Sequence, residues 1–208
     1  MAKQKYESRE KNKVKNFEFR CASPQSMKLF EEALVYEDRY FKDMTLQSKS
    51  ILESFVYFTE TEDGKKTRLC YYEDAISITL SDWRFVEKKL RKFDGHCNFR
   101  RLEIAIKQGL PKEERKTAFL HEMIHAYEAE LNWEKYDRMK EILLLLLYRS
   151  LVKRLGEKKA DSLLRIANKS EFWEKGHSLL FALKSFDLDV RLKLPFGSVF
   201  GYEKEKWF

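Results

Sequence analysis

Residues 112–155 contain neither glycine nor proline. A stretch that long with nothing to bend or end the chain predicts helix and little else. Pro111 precedes it, where a fixed φ and a missing N–H suit a helix entry, and Glu113 and Glu114 follow to meet the positive end of the helix. Asn132-Trp133 reads as the separation between two helices, and Gly156 as the end of the second. Ala160 to Ala167 gives a third helix and Lys175 to Phe186 a fourth. Leu143 to Leu147 is apolar all round, which predicts a centrally buried helix.

The first half reads differently, so the expected class is α+β: a small antiparallel or mixed sheet packed on a helix-rich second half. Ser23-Pro24 starts a helix, with Met27, Phe30, Leu34 and Val35 at helical spacing. Ile51 to Thr59 is rich in β-branched and aromatic residues, Asp63-Gly64 is a hairpin turn signal, and Thr67 to Tyr72 is the return strand. Ala75 to Leu80 alternates and reads as a further strand. Ser81 or Asp82 caps a helix running to about Lys92, Asp94-Gly95 breaks it, and Leu102 to Ile106 is a short strand. Residues 1–20 read as a mobile basic arm and 21–208 as a single domain, long enough to bury its own core.

The longest apolar run, Ile142 to Tyr148, is far short of the roughly 20 residues needed to cross a bilayer. The N-terminus has charge but no apolar segment, which argues against a secretory signal. Cys21, Cys70 and Cys97 form neither a disulfide framework nor a CxxC metal knuckle. A cytoplasmic, nucleoid or nuclear protein is expected, not a secreted one.

The net charge of +7 is uneven. Residues 1–20 carry +4, and residues 84–101 (RFVEKKLRKFDGHCNFRR) carry +5. The second segment follows Trp83 and is interleaved with Phe85, Phe93 and Phe99. Cations for phosphates and flat rings for bases are what binders of single strands use. The competing reading is a helix with a solvated basic face and its aromatics in the core. DNA is therefore a candidate partner through these two segments.

The chemistry lies in His121-Glu122-Met123-Ile124-His125, an HExxH inside TAFLHEMIHAYEAEL. On a helix, positions i and i+4 project from one face, so both imidazoles can hold one Zn²⁺. Glu122 lies just off that face, where it can serve as general base for a water that the metal acidifies. The flanking Phe119, Leu120, Ala126 and Tyr127 would anchor the helix. A catalytic zinc needs a third protein ligand and an open position. His177 is favoured: it follows Gly176 and opens the amphipathic stretch GHSLLFALKSF, with Leu180 and Leu183 as anchors. Glu134 and Glu141, on the following helix, remain alternatives, and His96 reads as a loop or stacking residue. Tyr127 and Tyr202 are candidate oxyanion donors.

LHEMIHAYE followed by GHSLLF, with the strand LEIAI ahead of the zinc helix, resembles the SprT-like (Spartan-type) zinc metalloprotease family. The likeness covers roughly residues 70–200 and is specific in the two motifs. It implies a zincin-like fold, Zn²⁺ held by His121, His125 and His177, Glu122 as the catalytic base, and proteolysis of protein substrates. For several members it also implies cleavage of proteins crosslinked to DNA. Two features depart from the family: a longer stretch between His125 and His177, and no cysteine after His177 to build a zinc ribbon. Two other classes stay open beside the peptidase: a nucleic-acid-binding module with a structural or vestigial zinc site, and a helical adaptor whose core merely contains two histidines.

Overall fold

A computed structural model of the chain describes residues 9, 11–19, 23–42, 57–60, 66–69, 80–133, 137–168 and 176–201. The architecture is α+β, with a small mixed sheet followed by a helix-rich second half. Helix α1 (Pro24–Tyr40) begins where Ser23-Pro24 predicts: Ser23 accepts the Ser26 amide at 3.4 Å. Its buried face differs from the expected one. Leu29 and Ala33 are buried, while Met27, Leu34 and Val35 are exposed. Contacts made elsewhere set the rotation of the helix: Glu32 pairs with Arg115, and Glu37 accepts the Tyr127 hydroxyl.

Strands β1 (Tyr57–Glu60) and β2 (Lys66–Leu69) pair antiparallel, in line with the expected hairpin. The turn at Asp63-Gly64, residues 51–56 and residues 75–79 lie outside the described residues. The second sheet holds β3 (Arg84–Lys88), β4 (Gly95–Asn98) and β5 (Glu103–Lys107) in the order β3-β5-β4. β3 runs parallel to β5 with Phe85 opposite Ile104, and β4 runs antiparallel to β5 with Cys97 opposite Ile104. The helix expected from Ser81 or Asp82 to Lys92 is thus corrected to a strand. Phe85 fills the core from β3, and Arg84 and Lys88 both pair with Glu103 on β5. Alternating partners across a ladder favour the extended form over a helix whose basic face would meet only water.

The central strand feeds α2 (Lys112–Trp133), which packs on β4 and β5. Glu113 and Glu114 occupy its first turn. Arg115 reaches Glu32 of α1 at 2.7 and 2.8 Å and Glu87 of β3 at 3.1 Å, so one guanidinium joins three elements. Phe119, Leu120, Met123, Ile124, Tyr127 and Leu131 are all fully buried. At about 2 kcal/mol for each such side chain, α2 is the axis of the core. The Leu-rich helix expected there is α3 (Asp137–Leu155): Leu143, Leu147 and Leu151 are buried, but Leu144, Leu145 and Leu146 only partly. Gly156, at φ 82°, separates α3 from α4 (Glu157–Ala167), as its position predicts. The last helix, α5 (Leu179–Leu192), packs on α2, α3 and α4.

Residues 11–19, expected to belong to a mobile arm, are helical and bound to the sheet loops. The Asn16 side-chain nitrogen lies 3.0, 3.2 and 3.2 Å from the carbonyl oxygens of Asp82, Arg101 and Leu102. Arg9 pairs with Glu130 on α2.

Candidate metal centre

The HExxH segment occupies the middle of α2, where the helix is packed on both sides. His121 and His125 stand one turn apart on a half-buried face. His177 comes to the same place from the junction before α5. The three ring centroids form a near-equilateral triangle, 5.0 Å from His121 to His125, 5.3 Å from His121 to His177 and 4.9 Å from His125 to His177. One ligand nitrogen from each ring lies within 4.8 Å of the other two. Among the described residues no other group of three His, Cys, Asp or Glu is gathered this way.

Local sequence explains how His177 is delivered. Gly176 takes φ 78°, a left-handed turn that suits a residue without a side chain. Ser178 caps α5 by accepting the Phe181 amide at 3.1 Å, and its hydroxyl donates to Glu128 on α2. Glu128 lies three positions after His125, on the same face of the helix. It ties the third histidine to the helix that carries the other two. Burial pushes the Glu128 carboxyl up to about 7, against the Ser178 hydrogen bond that lowers it.

The electrostatics suit a metal. Burial pulls His121 down to about 4, opposed by its hydrogen bonds to the backbone at Val199 and Phe200. Burial, then the neighbouring His121 and His177, pulls His125 down to about 3. Both rings are neutral at pH 7, the state in which imidazole ligates. His121 Nδ1 lies 2.9 Å from the Val199 carbonyl oxygen, to which only a protonated Nδ1 can donate. That contact favours the Nδ1–H tautomer, in which the Nε2 lone pair is open to a metal. The Phe181 ring stands 4.4 to 4.8 Å from all three imidazoles and Phe200 stands 4.9 Å from His177, so one side of the group is an apolar wall. Three imidazole nitrogens are a donor set for a transition-metal ion rather than for calcium or magnesium, which take oxygen.

Glu122 and His121 both line a cleft of about 470 Å³ with Phe93, Gly95, Thr117 and Phe200. The Glu122 side chain runs against the start of β4: a Cβ added at Gly95 would stand 2.6 Å from both Cγ and Oε1. Glycine there is what lets the carboxyl fit. Burial pushes Glu122 up to about 8, and a divalent cation beside it would favour the ionised form again.

His121, His125 and His177 are brought together, and Glu122 lines the cleft with His121. Of the alternatives, His96 is exposed on β4 and Glu141 is exposed on α3, and neither joins the group; Glu134 lies outside the described residues. Tyr127 is fully buried with its hydroxyl on Glu37, which removes it as an oxyanion donor, and Tyr202 lies outside the described residues. Glu128, Gly95 and the Val199 carbonyl were not anticipated. Glu128 was open to reading, since it lies seven residues after His121 on the motif's own face. The other two belong to contacts between distant segments.

The basic 84–101 segment divides. Trp83 and Phe85 are core, whereas Phe93 and Phe99 are 62% and 54% exposed, beside exposed Lys92, Arg100 and Arg101. No family model, no curated protein and no solved structure matches the chain. No helix among the described residues is long and apolar enough to cross a membrane.

Proposed function

We propose that this chain is a zinc-dependent metallopeptidase of the SprT-like type, with a zincin-like fold. One observation carries the reading: a buried carboxyl, Glu122, lines an open cleft together with His121, which is one of three clustered imidazoles. His121, His125 and His177 would hold the metal, which when bound supplies a Lewis acid for the scissile carbonyl and acidifies a water. Glu122 takes a proton from the attacking water on its carboxylate and returns it to the leaving amine nitrogen. The Phe181 and Phe200 wall keeps bulk water from the far side of the imidazoles. The cleft is open enough for a segment of a protein substrate, and DNA held by residues 84–101 or the N-terminal segment would favour DNA-associated proteins.

The test is zinc content and casein or self-cleavage in wild type, Glu122→Gln and His177→Ala. Zinc retained and cleavage lost in Glu122→Gln, with zinc weakened in His177→Ala, is the expected pattern. Full cleavage by Glu122→Gln would overturn the mechanism.

A second reading, a nucleic-acid-binding module with a structural zinc, is favoured by the exposure of Phe93 and Phe99 among cations. Salt-sensitive binding of single-stranded DNA without any peptidase activity would select it, and loss of that binding on Phe93→Ala would locate it.

A further inference from the structure

We infer that Asp189 is a positioning residue for the metal centre: it holds the loop whose Val199 carbonyl fixes the His121 proton on Nδ1, and so presents Nε2 to a metal. This rests on the metal reading above and extends it to a carboxylate that no motif marks.

The links are all short, and the two to Asp189 are buried. Asp189 lies on α5 with 0% exposure. Its Oδ1 accepts the Val199 amide at 2.9 Å and its Oδ2 accepts the Gly197 amide at 2.7 Å. The Val199 carbonyl oxygen then accepts His121 Nδ1–H at 2.9 Å. Carboxylate, peptide and imidazole stand in series, and Val199 is held at both of its polar ends.

The chain reverses direction to build this. Lys193, at φ 57°, ends α5 in the left-handed region, and the Leu194 amide returns to the Asp189 carbonyl at 2.8 Å. Gly197, at φ 84°, turns the segment back over the helix. Two backbone donors then point at one place in a dry interior. Such a pair needs an acceptor with two oxygens, and an ionised carboxylate is the strongest available. An asparagine offers one oxygen and turns an NH₂ toward the other amide, so Asp189→Asn frees one end of the loop while barely changing volume. With the Val199 carbonyl released, His121 can move its proton to Nε2, the form that cannot ligate through that nitrogen.

Asp187 supplies the control. It is equally buried, two positions earlier on α5, and its partners are Ser150 of α3 and Arg191, with Lys184 at 3.9 Å. Asp187→Asn perturbs a buried carboxylate of the same helix without touching the 197–199 loop.

The experiment uses the full chain, free of metal, with ¹⁵N-labelled histidine. Long-range ¹H–¹⁵N spectra read the His121 tautomer, and competition against a chelator then reads Zn²⁺ affinity. Wild type and Asp187→Asn should show a single Nδ1–H form and the same affinity. Asp189→Asn should show mixed tautomers and about 10–100-fold weaker zinc, the usual effect of losing an outer-shell partner. An unchanged tautomer and affinity in Asp189→Asn overturns the inference, as does an equal loss in Asp187→Asn. Should Asp189→Asn fail to fold, hydrogen exchange of the Gly197 and Val199 amides in wild type decides: strong protection supports the inference, and exchange as fast as an open loop overturns it. A wild type that shows the fixed tautomer but binds no zinc overturns the metal reading, and is told apart because the tautomer is read without metal.

Discussion

The two halves of the candidate metal centre are held by different means. His121, Glu122 and His125 take their relative positions from the helical repeat of α2, within five consecutive residues. His177 is fifty-two residues further on, and Gly176, the Ser178 cap and the Glu128 contact across to α2 help bring it to the site. The first half is local geometry, and the second is assembled by the tertiary fold. A motif can therefore be present and helical while the site is incomplete, and the assembled half decides whether a metal is gripped.

The most damaging change to the local half is Glu122→Gln, which removes the proposed proton carrier and leaves the imidazoles in place. Hydrolysis should fall by about 10²–10⁴-fold, the usual contribution of a general base, with zinc content unchanged by metal analysis. Gly95→Ala comes next and breaks the comparison itself. It lies on β4, yet its new methyl group would stand 2.6 Å from Glu122 Cγ, so the strand must displace a residue of the motif. A displacement of about an ångström can cost about 10²-fold in rate, and kcat should fall while zinc binding holds. Equal activity would mean that the motif half sits free of the sheet.

Ser178→Ala sharpens the comparison from the other side. It removes the helix cap and the hydroxyl on Glu128, for a stability loss of about 2 kcal/mol in urea unfolding. Zinc affinity should fall with it through His177, and His121 should keep its tautomer. The smallest effect is expected from Glu103, which lies outside both halves. Burial alone would raise its carboxyl, but hydrogen bonds from Lys88 and Arg84 outweigh that and hold it below the usual range. Its folded value is the lower one, so its stabilisation is complete at neutral pH and is lost as the pH falls through that lowered value. Urea midpoints should drop between pH 7 and pH 3, and Glu103→Gln should flatten that drop without changing zinc affinity at pH 7.

What could be read from sequence follows the same division. The helices from Pro111 onward were legible because capping and the absence of breakers are local, although the last, expected over Lys175 to Phe186, starts at Leu179 after the Ser178 cap and runs to Leu192; HExxH and the glycine ahead of His177 were legible too. The strand at Arg84–Lys88 was not, because its extended form depends on Glu103 nineteen residues away. The rotation of α1 was not, because Arg115 and Tyr127 set it from another element. The Leu-rich run looked more central than it is, since an apolar run marks what can be buried and not how far. Asp189 was invisible for a similar reason: nothing near it in the chain resembles a site.

The N-terminal segment changes what a shortened chain would be. Asn16 spreads two hydrogens over three backbone oxygens from the two ends of the sheet loops, and Asn12 adds the Arg100 carbonyl. Arg9 reaches Glu130, whose other oxygen holds the Trp83 indole at 2.8 Å. A version begun after residue 20 keeps every residue of the metal centre, yet it loses the clasp that joins the entry to β3 with the entry to β5. Such a trimmed protein would report on a loosened sheet under an intact motif, and a failure of activity in it would say nothing against the chemistry of the site.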